Sequence, residues 1–335
     1  MSKGIYVHVP FCAAKCGYCD FLSFDDAEGK WEAYCDALIA EIGEARPVDT
    51  VYIGGGTPTV LPSHLLRRLL AALPAAGEVT CEANPGTLDA EKIAVLAEGG
   101  VNRVSLGLQA WQPRLLRNIG RRDSGAFTEN YKALRDAGFE NINIDVMFSL
   151  PGQSQKDWEE TLREVCALAP EHISAYALTP TDVDDETDRR MYHYCKAFLA
   201  AQGYMQYEIS NFCKPGFESR HNLLYWKRGD YRGYGLGAHS FVNGVRFQNT
   251  EDLDEYLPLS EADAMAEFMF LGLRLTEGVR IAAFAEEFGR SLYEIYGPWI
   301  EKMTAGGLLC EKNGYIALTD LGMDLANTVM SGFLE

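Results

Sequence analysis

Over its first half the chain alternates short β-branched runs with longer stretches of helical periodicity, and that alternation leaves few folds open. Candidate strands run over Gly4 to Val9, Thr50 to Gly54, Val79 to Ala83, Arg103 to Gln109, Asn141 to Met147 and His172 to Tyr176. Helix-like stretches lie between them, at about Trp31 to Gly43, Ser63 to Leu73, Asp89 to Gly99, Gly125 to Ala137 and Gln155 to Leu168. Asp89 precedes one apolar-periodic run and Gly138 follows another, as helix start and stop residues do. Strict βα alternation implies a parallel sheet with right-handed crossovers, doubly wound or closed toward a barrel. The number of units favours a partial barrel. In such a fold the loops after the strands share one rim, so residues far apart in sequence meet there.

After Tyr176 the pattern changes. A polar stretch, Thr179 to Asp185, leads into a helix-like run from Glu186 to Gly203, followed by an aromatic and glycine-rich section from Tyr204 to Phe247. Leu257-Pro-Leu-Ser260 reads as a linker, and Glu261 to Glu335 as a small helical, winged-helix-like module ending in a short hairpin with turns at Gly306-Gly307 and Asn313-Gly314. The expected organisation is therefore a partial barrel over 1–180, a barrel extension over 181–258 and the C-terminal module over 261–335. With 48 acidic against 30 basic residues and a net charge of -18, nucleic acid is a poor partner, and no Lys/Arg cluster marks the C-terminal module as a DNA reader. No run approaches the roughly 20 apolar residues of a membrane span, and Met-Ser-Lys-Gly carries no secretory segment. A cytoplasmic location is expected. Cys35, Cys81, Cys166, Cys195, Cys213 and Cys310 lack framework spacing and read as packing residues in a reducing compartment.

Chemistry concentrates just after the first two strands. Cys12, Cys16 and Cys19 form a C-x3-C-x2-C array in a loop of small residues. Three thiolates so spaced can hold one face of an iron–sulfur cube and leave its fourth iron open. A zinc site completed by His8 is the rival reading. After the second strand comes Gly54-Gly-Gly-Thr-Pro58, where glycines let a ligand approach the backbone and offer exposed N–H and C=O groups.

Together, at the ends of the first two strands of a βα domain, these motifs resemble the radical S-adenosylmethionine (SAM) superfamily, in which the triplet binds a 4Fe-4S cluster and SAM chelates the open iron. Tyr18, just before the third cysteine, fits that pattern. Over nearly the whole chain the sequence is similar to the oxygen-independent coproporphyrinogen III oxidase group of that superfamily. The segments that carry this are Tyr6-Val-His-Val-Pro-Phe-Cys12, Glu82-Ala-Asn-Pro85, Ser105-Leu-Gly-Leu-Gln109, Arg121 and Ile144-Asp-Val-Met-Phe-Ser-Leu-Pro-Gly152. The resemblance implies a partial (β/α)6 radical SAM barrel with a small C-terminal winged-helix-like α+β domain. It also implies a SAM site lined by Tyr6, Gly55, Gly56, Thr57, Glu82, Gln109, Arg121, Asp145 and Ala177. Arg121 suits the SAM carboxylate, the glycine turn its amino group, and Asp145 or Glu82 the ribose hydroxyls or the amino group.

Within that group the true oxidase carries a further cysteine two residues after the third ligand and a long N-terminal extension, whereas this chain has Phe21 there and opens almost at its first strand. His221-Asn-Leu-Leu-Tyr-Trp226 matches the H-N-x-x-Y-W motif of the HemW-type heme chaperones, and Tyr231 to Phe241 is rich in glycine. The resemblance implies heme as a third cofactor, with His221 as axial ligand, Tyr225 one turn later to stack on the macrocycle, and His239 as a second candidate. Heme delivery to an acceptor such as a respiratory heme protein is the expected function. Anaerobic coproporphyrinogen III oxidation and a zinc-stabilised interaction protein are the alternatives, and a homodimer is compatible with each. The C-terminal module would serve partner contact or cover the SAM site. Two departures from the family pattern stand out: Asp123 where relatives have His, and Ser149 where they have Gly.

Overall fold

The computed structural model describes residues 3–121, 125–178, 183–257, 261–275 and 277–334. Asp123, most of the polar stretch after Leu178, and the Pro258 to Ser260 part of the expected linker lie outside them. The chain divides into two compact units, Met1–Leu257 and Pro258–Glu335.

The first unit opens with six βα units. Its strands are β1 (Lys3–Val9), β2 (Val48–Gly55), β3 (Ala76–Ala83), β4 (Arg103–Gln109), β5 (Ile142–Phe148) and β6 (His172–Ala177). The helices are α1 (Trp31–Ile42), α2 (Ser63–Ala72), α3 (Ala90–Glu98), α4 (Pro113–Asn118), α5 (Phe127–Asp136), α6 (Gln155–Ala167) and α7 (Asp185–Ala201). Boundaries differ from the expected ones by three residues at the start of β3 and by two or fewer elsewhere. The Asp89 side chain accepts from Lys92 N–H at the start of α3, and Ser154 and Asp157 close a capping box on α6. Helix α4 was not anticipated; only Pro113, at its first turn, announces it.

All six strands run parallel in the order 1-2-3-4-5-6. Their outward residues are apolar: Val7 and Val9, Val51 and Ile53, Val104 and Leu106, Ile142 and Ile144 are buried against the helices. The inward alternation is polar: Thr50 and Tyr52, Glu78, Thr80 and Glu82, Arg103 and Ser105, Asn143 and Asp145, His172 and Ser174. Because side chains alternate with period two, each strand serves an apolar core outside the sheet and a polar interior within its curve. The main core therefore lies between sheet and helices.

The section from Tyr204 to Phe247, part of the barrel extension expected over 181–258, adds to this sheet at both edges through β7 (Met205–Gln206), β8 (Asn211–Cys213), α8 (Arg220–Trp226), β9 (Asp230–Tyr234), β10 (His239–Val242) and β11 (Val245–Gln248). The full order among the described residues is β11-β10-β9-β1-β2-β3-β4-β5-β6-β8-β7. Strand β9 joins β1 in parallel, while β8 and β10 turn antiparallel, so neither edge strand of the βα repeat is left bare. The helix α9 (Leu253–Tyr256) closes the unit.

The second unit holds α10 (Glu261–Gly272), β12 (Val279–Arg280), α11 (Ile281–Phe288), α12 (Leu292–Ala305), β13 (Leu309–Lys312), β14 (Tyr315–Leu318), α13 (Asp320–Asp324) and α14 (Ala326–Ser331) around its own core of Met269, Phe284, Ile300 and Phe333. The expected hairpin is β13–β14, turning through Asn313 (φ 55°) and Gly314 (φ 80°). It is not the end of the chain. β12 adds a third strand, and Thr319 caps a further helical turn by accepting from Gly322 N–H. No helix of the described residues is long and apolar enough to cross a membrane.

Candidate functional site

The polar interior of the first unit opens as a cavity of about 680 Å³, within the size range of small-molecule sites. At the carboxyl ends of the strands it is lined by Cys12, Cys16, Tyr18 and Cys19 from the loop after β1, by Gly55, Gly56 and Thr57 after β2, and by Glu82, Gln109, Asp145 and Ala177. Arg121, after α4, completes that rim. Every residue nominated for the cluster and for SAM is thus brought to one cavity except Tyr6. Tyr6 points inward behind the lining, its hydroxyl 2.9 Å from His8 Nδ1 and its ring beside Tyr52.

The three glycines each clear a different neighbour. A Cβ on Gly54 would meet the Glu82 carboxylate at 2.9 Å, one on Gly55 the His8 ring at 2.6 Å, and one on Gly56 the Phe11 carbonyl at 2.5 Å. Gly56 N–H donates to Val9 O at 2.9 Å and Thr57 N–H to Phe11 O at 2.7 Å, which stitches the turn to the cysteine loop. Gly55 N–H donates to Glu82 Oε2 at 3.2 Å. The turn was expected to present exposed N–H groups; the structure corrects this, since those of residues 55 to 57 are spent inside the protein.

His8, the expected fourth ligand of the zinc reading, is likewise committed inside the protein. It is buried, with Nδ1 facing the Tyr6 hydroxyl and Nε2 2.9 Å from Leu22 O, and burial lowers its pKa. Among the described residues no three Cys, His, Asp or Glu side chains converge on a point as ligands of one ion. A cube-shaped cluster asks something different, because each cysteine binds a separate iron. The cysteines remain partly exposed and free, and Thr57 Oγ1 lies 3.7 Å from Cys12 Sγ.

Around the rim, Arg121 donates to Asn84 Oδ1, to Gly107 O and, at 3.3 Å, to the Tyr18 hydroxyl. Glu82 accepts from the Tyr52 hydroxyl at 2.7 Å; burial, with Asp145 adding repulsion, pushes its pKa up to about 7. Asp145 accepts from Ser105 at 3.1 Å and Asn143 at 2.8 Å, yet burial still raises its pKa. Gln109 (φ 69°) and Ser149 (φ 60°) occupy the left-handed region at the ends of β4 and β5, a costly conformation for a residue with a Cβ. Ser149 donates to Asp188.

The expected heme residues lie elsewhere. Helix α8 plugs the amino end of the barrel, where Gly4 leaves room for Leu224 and His221. Glu78 accepts the backbone N–H groups of Arg220 and His221 at 2.9 Å each. His221 is 0% exposed, with Nδ1 2.8 Å from Thr50 Oγ1 and Nε2 2.8 Å from Tyr225 Oη. Burial, with the charge of Arg103, lowers its pKa to about 3. Tyr225 packs on His221 and Tyr231 rather than offering a free face. As a correction to the sequence expectation, neither side chain is open to a macrocycle in this arrangement; His239 is exposed.

Sequence reasoning missed Tyr52, Arg103, Asn143 and Asn211 and gave no role to Asn84, Ser105 and Asn222, which lie within the quoted segments; all seven line the cavity. Period-two alternation within the strands could have found Tyr52, Arg103, Ser105 and Asn143, since each shares a face with a nominated residue of its own or a neighbouring strand.

Known proteins match the chain over nearly its whole length. Residues 6–165 match the radical SAM superfamily and residues 259–325 the HemN C-terminal domain. The chain is 37% identical to the heme chaperone HemW of Lactococcus lactis subsp. lactis (strain IL1403), covering 98% of this chain and 96% of that protein. It is 36% identical to the heme chaperone HemW of Bacillus subtilis (strain 168), covering 99% of each, and 32% identical to that of Escherichia coli (strain K12), covering 98% and 97%. Among solved structures, the coproporphyrinogen III oxidase HemN of Escherichia coli, a radical SAM enzyme, superposes with a TM-score of 0.68 at 21% identity, over 99% of this chain and 90% of that one. This last likeness establishes the fold.

Proposed function

The chain belongs to the HemW family of radical SAM proteins, and from that premise we propose that it is a heme chaperone. In this reading it carries a 4Fe-4S cluster on Cys12, Cys16 and Cys19 and SAM in the barrel cavity, and it passes heme to an acceptor heme protein. The supporting observation is the gathering of those cysteines, the glycine turn, Glu82, Gln109, Asp145 and Arg121 around one cavity. When held by Cys12, Cys16 and Cys19, the cluster would supply one-electron chemistry toward SAM. Arg121, held by Asn84 and Tyr18, would take the SAM carboxylate, and Glu82 and Asp145 would accept from hydroxyl or amino donors.

Heme enters at His221 once α8 has turned outward. Opening breaks the bond to Thr50 and the two that Glu78 accepts from the N–H groups of Arg220 and His221, at about 1 kcal/mol or more each, and freeing Nε2 further requires Tyr225, on the same helix, to let go. The apparent heme affinity is lowered by the closed fraction, which suits a protein that must release its cargo. The test is anaerobic reconstitution with iron and sulfide, then heme titration by visible absorbance of the native chain, His221→Ala and His239→Ala. Saturable binding weakened about tenfold by His221→Ala alone supports the reading. Loss confined to His239→Ala moves the ligand to the exposed histidine. Turnover of coproporphyrinogen III with SAM and reductant would favour the oxidase.

A further inference from the structure

The cysteine end accounts for one part of the cavity; the opposite end, at the amino ends of the strands, is lined by Arg103, Asn143, Ser174, Asn211 and Asn222. Arg103 is 2% exposed. Among the described residues no group accepts a hydrogen bond from its side chain and no carboxylate forms an ion pair with it. A guanidinium carries five N–H donors, and a buried charge left without a counter-ion is strongly unfavourable. Glu82 and Asp145 lie within its electrostatic reach and offset part of its charge, but neither bonds to it: Glu82 accepts from Tyr52 and Gly55, Asp145 from Ser105 and Asn143. Two amides face the same space without a described side-chain partner. Asn211 is 8% exposed with an orphaned amide oxygen, and Asn222 follows His221 on the helix that plugs the barrel. The two ends of an amide are interchangeable in shape, so each can present its NH2 group.

We propose that this end of the cavity is a carboxylate subsite, in which Arg103 is the counter-ion and Asn211 and Asn222 supply neutral donors. Its ligand is a monoanion. Arg103 brings one positive charge and Glu82 and Asp145 disfavour each further negative one, so a planar carboxylate, which matches the guanidinium fork, is preferred to a doubly charged phosphate. The group comes either from a propionate arm of a tetrapyrrole or from a free short-chain acid. The subsite stands independently of the cluster and SAM reading, since none of its three residues belongs to the cysteine end.

The test uses the full chain, with propionate and its neutral isostere propionamide as probes in calorimetry and thermal unfolding, and mesoporphyrin as competitor. Propionate is expected to bind saturably and raise the melting temperature, and propionamide to do neither. Arg103→Gln should lose at least tenfold in propionate affinity. Asn222→Asp, which supplies a carboxylate from within the chain, should abolish propionate binding while melting at or above the native temperature. That second variant decides the matter if Arg103→Gln does not fold. Competition by mesoporphyrin but not by its dimethyl ester assigns the carboxylate to the tetrapyrrole arm, and propionate binding without such competition assigns it to a free acid; either supports the subsite. Equal effects of propionate and propionamide, no binding of any carboxylate probe, or undiminished propionate binding by folded Asn222→Asp would overturn it.

Discussion

The cysteine loop and α8 each carry a short motif of comparable specificity, and the fold treats them in opposite ways. At the carboxyl end of the barrel, Cys12, Cys16 and Cys19 stay partly exposed, lining a cavity whose backbone supports are bonded among themselves. At the amino end, His221 is buried and both its ring nitrogens are taken, one by Thr50 from the second strand. A motif specifies which atoms could bind; partners remote in sequence decide whether those atoms are available. The same difference appears in the glycines: Gly55 and Gly56 shape an opening, whereas Gly4 exists so that α8 can close one.

Four experiments would break or sharpen this contrast. The largest effect belongs to Cys12→Ala, Cys16→Ala and Cys19→Ala: each should abolish stable cluster assembly, read as loss of bound iron and labile sulfide after anaerobic reconstitution, with little change in thermal stability. His221→Ala should do the reverse. It leaves Thr50 and Tyr225 unsatisfied beside a new void, at a cost of about 3 kcal/mol in denaturant unfolding, while cluster content is retained. If it destabilises by less than about 1 kcal/mol, the closed end is not closed in solution.

The third experiment is a pH profile, in which the two ends pull apart. Glu82 rises from 4.5 to about 7 on folding, so the native state binds the extra proton between those values, and stability falls as pH rises through that window. The effect is up to about 3 kcal/mol, less where cavity water screens it, and Glu82→Gln should remove it. His221 falls from 6.5 to about 3, so the unfolded chain binds the proton there and stability is lost as pH drops through that window. Chemical denaturation from pH 3 to 9 of native chain, Glu82→Gln and His221→Ala separates these opposed slopes. The smallest effect is that of Ser149→Gly. It relieves the left-handed backbone but loses the bond to Asp188, and the net change in unfolding free energy should stay within about 1 kcal/mol.

Much of the first unit was legible because its signals are local. The expected strand Arg103 to Gln109 is β4 residue for residue, and Asp89 and Gly99 flank α3 as its caps. What escaped notice was non-local. Strands β8 and β9 are three and five residues long, too short for periodicity to mark, and exist because β6 and β1 offer them edges. Arg103 was read only as the start of a strand, since nothing in Arg-Val-Ser-Leu-Gly shows that its charge goes unpaired.

By itself the sequence determined the alternating units, the spacing of Cys12, Cys16 and Cys19, and the glycines after β2, because backbone period, turn chemistry and ligand spacing are properties of neighbouring residues. Only the tertiary structure decided that the inward faces of the strands enclose a polar cavity, that Arg121 and Arg103 stand at its opposite ends, and that His221 is locked by Thr50 and Tyr225. Those outcomes depend on strand register and on the seat of α8, and contacts between residues such as Thr50 and His221 exist only once the sheet has curved and the helix has docked.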